Sequence, residues 1–194
     1  MTTAYNFETK HIRNTFDGLP EDIVLRKTGE SVVFDVYREE LDFRSLFEIF
    51  DEIVAEGQTY PQDRMDEQSF RQYFLSHNCF VFRLSANNQT IGGFYIKPNF
   101  PGRSSHLANC GMAIKLEYRG RGLGQVMMER IVRMAKVIGY EAIYNNLVFV
   151  TNPASVKVCK DHGFVEVGRL PRAGNLKGYG YTDALQLYRD LRFN

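Results

Sequence analysis

Arg119-Gly120-Arg121-Gly122-Leu123-Gly124, running directly into an apolar-periodic segment that ends at Ile138, is the stretch on which the reading of this sequence turns. Val126, Met127, Ile131, Met134 and Ile138 fall on one helical stripe, which predicts a helix over Leu123–Ile138 closed by Gly139. The small-residue run His106–Lys115 before it predicts a strand. Between strand and helix, glycines let the backbone approach a phosphate closely, and the helix start offers unpaired N–H groups at the positive end of its dipole. Arg119 and Arg121 add charge where a pyrophosphate would rest. A tight turn with no ligand has the same composition, so both readings stay open on these six residues alone. Two better-known phosphate motifs do not fit. A P-loop needs Gly-Lys-Ser/Thr, but Gly124 is followed by Gln125 and Val126; the dinucleotide fingerprint needs a glycine where Gln125 stands.

Working outward, Ala142–Val150 is a strongly β-type run. Pro153–His162 reads as a helix with Asn152 as N-cap and Gly163 beyond its end. Phe164–Leu170 and Ala184–Asp190 read as strands. Upstream, Ile23–Lys27 and Ser31–Arg38 flank a turn at Thr28-Gly29, and Cys79–Leu84 with Ile91–Lys97 read as a hairpin. Helices are expected over Leu41–Glu56, ended by Gly57, and over Asp66–His77. Helices set among the strands of a mixed sheet predict an α/β (α+β), sandwich-like architecture. Length, with no repeat or linker, makes residues 1–194 one domain.

Lys and Arg number 24 against 23 for Asp and Glu, a net charge of +1. That balance lacks the basic excess or stripe that nucleic-acid binding uses, so no nucleic-acid partner is expected. No apolar run approaches the ~20 residues of a membrane helix. The opening residues, Met1 to Thr15, lack the pattern of a signal peptide. Cys79, Cys110 and Cys159, an odd count without metal or redox spacing, fit a reducing cytosol, so a cytoplasmic protein is expected. His106 and Cys110 share a strand face but lie ~13 Å apart along it, too far for one metal. His11, His77 and His162 have no ligand-like partners, so no metal is expected.

The turn matches the acyl-CoA motif of the GCN5-related N-acetyltransferase (GNAT) superfamily: Gln or Arg, two residues, Gly, one residue, Gly or Ala, here Arg119, Gly122 and Gly124. Met112-Ala113-Ile114 resembles the strand before that turn, although Leu116 stands where Pro is common. About thirty residues on, Asn152, Ser155 and Gly163-Phe164 resemble the family's second block. Thr59-Tyr60-Pro61-Gln62, Phe94 to Asn99 and Asn146 to Asn152 further resemble the fungal azetidine-2-carboxylate (proline-analogue) N-acetyltransferases, with similarity from about Glu56 to Leu191.

This resemblance implies a GNAT fold: a mixed, mostly antiparallel sheet flanked by helices, whose central strands, one ending near Ile114 and the other beginning near Ala142, splay apart to admit the pantetheine arm of acetyl-CoA. It implies that Arg119, Gly120, Arg121, Gly122, Leu123, Gly124, Gln125, Asn152 and Ser155 hold the cofactor. The Ile114 backbone would pair with it, and the Met112 N–H would face the thioester oxygen. It implies a small-molecule amine acceptor, with a cyclic imino acid as the pattern, and a homodimer. The family's frequent carboxylate base is missing from His106–Lys115, and Cys159 occupies the position of its tyrosine acid. Asn109 and Asn146, placed by the resemblance at the acceptor site, are left to align the acceptor without titrating. Each also reads as a strand residue satisfying nearby backbone. Cys159, on an apolar helix face, reads as core as well as thiol acid. Acceptor specificity is expected in Gln58–Gln62 and in Pro171–Thr182, either a mobile cover or a long hairpin loop. Acetylation of a peptide or protein amine, and non-catalytic acyl-CoA sensing, are the alternative functions.

Overall fold

Polar helix termini and alternating strands sort into two helical layers around one sheet. The computed structural model describes residues 13–193; the expectations for His11 and for the opening residues 1–12 lie outside them. Eight strands, β1 (Glu21–Val24), β2 (Ser31–Val36), β3 (Asn78–Leu84), β4 (Thr90–Pro98), β5 (Leu107–Ile114), β6 (Ala142–Phe149), β7 (Val165–Leu176) and β8 (Gly180–Asp190), form one sheet in the order β1-β2-β3-β4-β5-β6-β8-β7. All neighbours pair antiparallel except β5 with β6. Helices α1 (Glu39–Glu56) and α2 (Glu67–Phe74) cover one face, burying Leu46, Phe50, Phe70 and Phe74 against Val81 and Tyr95. Helices α3 (Leu123–Ile138) and α4 (Pro153–Asp161) cover the other, where Met127, Ile131 and Cys159 meet Phe94, Ile96 and Ile143.

Three local expectations shift. The first strand is β1, Glu21–Val24 rather than Ile23–Lys27, because the Leu25 carbonyl already accepts the Thr28 and Gly29 N–H groups and starts the turn. Asp66 caps α2 from outside, its Oδ1 accepting the Ser69 N–H at 2.7 Å, and the helix stops at Phe74 rather than His77. Of the two readings of Pro171–Thr182, the hairpin holds: β7 and β8 run to Leu176 and from Gly180, interrupted by a bulge between Leu170 and Gly174. Gly174 suits the bulge because a Cβ there would lie 2.6 Å from the Phe149 ring. The hairpin tip is pinned to the end of α1, where the Lys177 N–H donates to the Gly57 carbonyl at 2.9 Å.

The start of α1 is fixed by a buried ionic cluster. Arg83 on β3 grips Asp42 with Nε at 2.7 Å and Nη2 at 2.6 Å, and reaches Asp35 with Nη1 at 2.9 Å. Thr90 donates to the same Asp42 at 2.6 Å. Asp42 is fully buried, so removing it strands the guanidinium without its main counter-charge. Asp42→Ala should cost about 3–5 kcal/mol of stability, read as a Tm drop on the order of 10 °C by calorimetry; an unchanged Tm would show that this cluster does not hold α1.

Candidate active site

Alternation along β5 decides which backbone groups are available. The Leu107 carbonyl accepts the Asn99 N–H and the Lys115 N–H donates to Ile91, so odd positions face β4. Ala108, Cys110, Met112 and Ile114 therefore face β6. Yet β6 pairs with β5 only at Leu107↔Ala142 and Ala108↔Ile143. Beyond Ala108 the strands part, and β6 itself carries a bulge between Asn145 and Val148.

Side chains close part of the exposed edge. Asn145, buried and missed by the sequence reading, takes the Cys110 N–H on Oδ1 at 3.4 Å in place of a strand partner. The Tyr60 hydroxyl donates to the Met112 carbonyl at 3.0 Å, and Arg119 Nε donates to the Ile114 carbonyl at 3.1 Å. Among the described residues the Met112 and Ile114 N–H groups have no partner, and they point into the gap. Arg119 also pairs with Glu56 at 2.9 Å through Nη1. Its Nε and Nη1 thus brace α1 to β5.

The glycine turn sits at the lower mouth of this gap. Gly120 and Gly122 adopt left-handed φ of 76° and 95°. A Cβ on Gly120 would meet only open space, and no side chain caps α3. The Gln125 N–H folds back to Gly122, and among the described residues the Leu123 and Gly124 N–H groups remain uncapped. The Gln125 side chain bonds Asp161 at 2.8 Å, linking α3 to α4. Cations arrive from two directions: Arg121 over the Tyr118 ring, and Lys27, whose Nζ reaches the Gly120 carbonyl at 3.4 Å. Lys27 comes from the β1–β2 turn, a contact that no local sequence signal carries. Asn152 caps α4 by accepting the Ser155 N–H at 3.1 Å. Cys159 is core, and burial pushes its thiol up to about 11.

At the upper mouth, on the α1/α2 side, the structure brings Asn109 and Asn146 together: Asn109 Nδ2 donates to Asn146 Oδ1 at 3.1 Å and to Asn99 Oδ1 at 3.3 Å. Tyr95 reaches Asn109 at 3.4 Å and shares a 3.0 Å bond with Tyr73. Burial raises the Tyr60, Tyr73 and Tyr95 hydroxyls above the usual phenol range, so they act as neutral hydrogen-bonding groups and not as bases. Nearby, a cavity of about 640 Å³ is bounded by Tyr60, Gln62 and Arg64 on one side and by Gly174, Asn175 and Lys177 of the hairpin on the other. Both segments expected to govern specificity line it.

The site thus combines a splayed parallel pair, an uncapped glycine turn and a polar cluster. A model of the acetyltransferase (GNAT) family matches residues 43–164, well over half the chain. The chain belongs to this family. It is 33% identical over 149 residues to the N-acetyltransferase aca1 of Schizosaccharomyces pombe, across 68% of this chain and 71% of that protein. Its fold is similar to a GCN5-related N-acetyltransferase from Kribbella flavida, with TM-score 0.77, 25% identity, and coverage of 82% of this chain and 97% of that one. A phosphinothricin acetyltransferase from Sinorhizobium meliloti, solved in complex with acetyl-CoA, shares the fold at TM-score 0.73 and 20% identity, covering 82% and 88%. This GNAT acetyltransferase has no described group of three or more His, Cys, Asp or Glu side chains placed to hold a metal ion. No helix among its described residues is long and apolar enough to cross a membrane.

Tyr60 is the side chain that holds the Met112 carbonyl at the edge of the gap. Tyr60→Phe keeps the ring packed against Phe50 and Tyr73 while deleting the tether. Turnover should fall about tenfold or more through loosened backbone geometry, with stability lowered by about 1–3 kcal/mol for the orphaned carbonyl. Steady-state kinetics beside a thermal melt separates the two effects; wild-type kcat in the folded variant would remove Tyr60 from this role.

Proposed function

We propose that the chain, acting as one domain over residues 1–194, transfers the acetyl group of acetyl-CoA to the amine of a small molecule, with a cyclic imino acid such as a proline analogue as the pattern. The observation that carries this reading is the pair of unpartnered N–H groups, Met112 and Ile114, on a strand edge that leads from the glycine turn to the asparagine cluster. An extended pantetheine arm complements that edge by strand addition. The residues fit the rest of the molecule: the uncapped Leu123 and Gly124 amides, with Lys27 and Arg121, suit a diphosphate. Asn152, whose Oδ1 is taken by the Ser155 N–H, and Ser155 stand at the start of α4.

Acetyl-CoA supplies an activated thioester carbonyl. The chain supplies alignment and charge stabilisation. The Met112 N–H would donate to the oxygen as negative charge develops on it. Asn109 and Asn146 would orient a neutral amine for attack, forming the N–C bond as the C–S bond breaks, with the amine proton passing to solvent. Neither amide titrates, and the surrounding tyrosines are protonated, so catalysis rests on positioning.

A small acceptor is favoured over a protein chain because the hairpin is latched to Gly57 and bounds the cavity beside Tyr60, where a peptide would need an open groove. The relative named for phosphinothricin points the same way. A homodimer belongs to this reading through the resemblance, and a cytoplasmic location through the cysteine usage.

Release of the CoA thiol, followed against a panel of amines that includes proline analogues, tests the assignment; acetyl-CoA binding without turnover on any amine would make the protein a sensor. Gly122→Asp places bulk and like charge at the diphosphate position and should weaken acetyl-CoA affinity about tenfold or more by calorimetry. Asn146→Ala should lower kcat/KM ~10²-fold with acetyl-CoA affinity kept. Unchanged affinity in the first folded variant would refute the turn, and wild-type kcat/KM in the second would refute the asparagine.

A further inference from the structure

On the α1/α2 face, Lys97 of β4 lies directly across the ladder from Asn109 of β5. Its Nζ donates to the Tyr73 carbonyl, in the last turn of α2, at 2.9 Å. It stands 4.2 Å and 4.4 Å from the centroids of the Tyr73 and Tyr95 rings. All of these partners are neutral. None of the ion pairs among the described residues involves Lys97. Burial alone pushes its ammonium down to about 8, the mark of a charge desolvated without a counter-ion.

Two residues further along the same face stands Asn99. Its Oδ1 is used by Asn109, but its Nδ2 is buried with no hydrogen-bond partner. An unsatisfied buried donor calls for an acceptor as firmly as a buried cation calls for an anion. Both needs arise at the rim of the Asn109 cluster, and one group whose two acceptor oxygens share a negative charge would answer both. A helix-capping lysine would account for the Tyr73 contact, but it leaves the Asn99 donor unexplained.

We propose that Lys97 and Asn99 form a carboxylate subsite, so that the acceptor is an amino or imino acid whose carboxylate lies close to the reacting nitrogen. This rests on the acetyl-transfer reading and narrows it. The amine is presented to Asn109 and Asn146 by the same contact that holds the acid group, which fixes the nitrogen in place before attack. Lys97 and Asn99 act here as specificity-determining residues and take no part in bond making.

The test compares an amino or imino acid acceptor with its own methyl ester. Wild-type enzyme should favour the acid in kcat/KM. In Lys97→Met, which keeps the stem and loses the charge, that acid-to-ester ratio should fall by about tenfold or more, mainly through acceptor KM, while KM for acetyl-CoA stays fixed. Lys97→Arg should restore part of the preference. Asn99→Asp, which sets a negative charge at the same spot, supplies the comparison independently should the methionine variant fail to fold. An unchanged acid-to-ester ratio in folded variants overturns the subsite and leaves Lys97 as a helix cap. Efficient acetylation of amines that lack a carboxylate, with the acids refused, also overturns it while acetyl transfer stands. Failure of wild-type enzyme to acetylate any amine would bring down the functional reading and this inference with it.

Discussion

Pairing between β5 and β6 ends after two residue pairs, and most of the site follows from that interruption. A strand edge inside a sheet cannot stay unsatisfied, because each bare N–H or C=O costs about as much as a lost hydrogen bond. The chain answers unevenly. Asn145, Tyr60 and Arg119 cover one N–H and two carbonyls, and what they leave open has the donor spacing of a strand. The gap is therefore shaped as much by the side chains that fill it as by the strands that part.

At Arg119 charge is only part of what the side chain does. Beside glycines it suggests a phosphate ligand, yet its Nε holds a β5 carbonyl and its Nη1 holds Glu56 at the end of α1. The side chain there donates N–H groups inward, a task that a guanidinium or an amide can perform. Further positive charge beside the turn comes from Arg121, which also lies 3.8 Å from Glu30, and from Lys27, which the β1–β2 turn delivers from 93 residues away.

What the sequence made legible is what short-range rules govern. The α3 stripe and its flanking glycines, the Asn152 cap and the β3–β4 hairpin follow from periodicity and capping within a few residues. The family resemblance supplied Asn109 and Asn146 and the splay. Tyr60 was visible only as part of a loop, since its bond to Met112 spans 52 residues. Asn145 was hidden by its neighbour: the bulge after it breaks the two-residue rhythm that would say which asparagine turns inward. The length of β7 was hidden by glycine and polar residues that read as a loop, because their ordering depends on Phe149 and Gly57, both distant in sequence. Lys97 and Asn99 carry no local signature, since what marks them is the lack of a partner after folding.

The interrupted sheet also means that β1–β5 and β6–β8 meet through two ladder pairs and the helices laid across them. The protein is thus held along this seam by few backbone pairs, and a molecule threaded there would complete the sheet. Evolution toward a sturdier chain has an obvious route, zipping the seam shut, and that route would leave no strand edge for a bound molecule to complete. Cohesion and reactivity compete here for the same few ångströms of backbone.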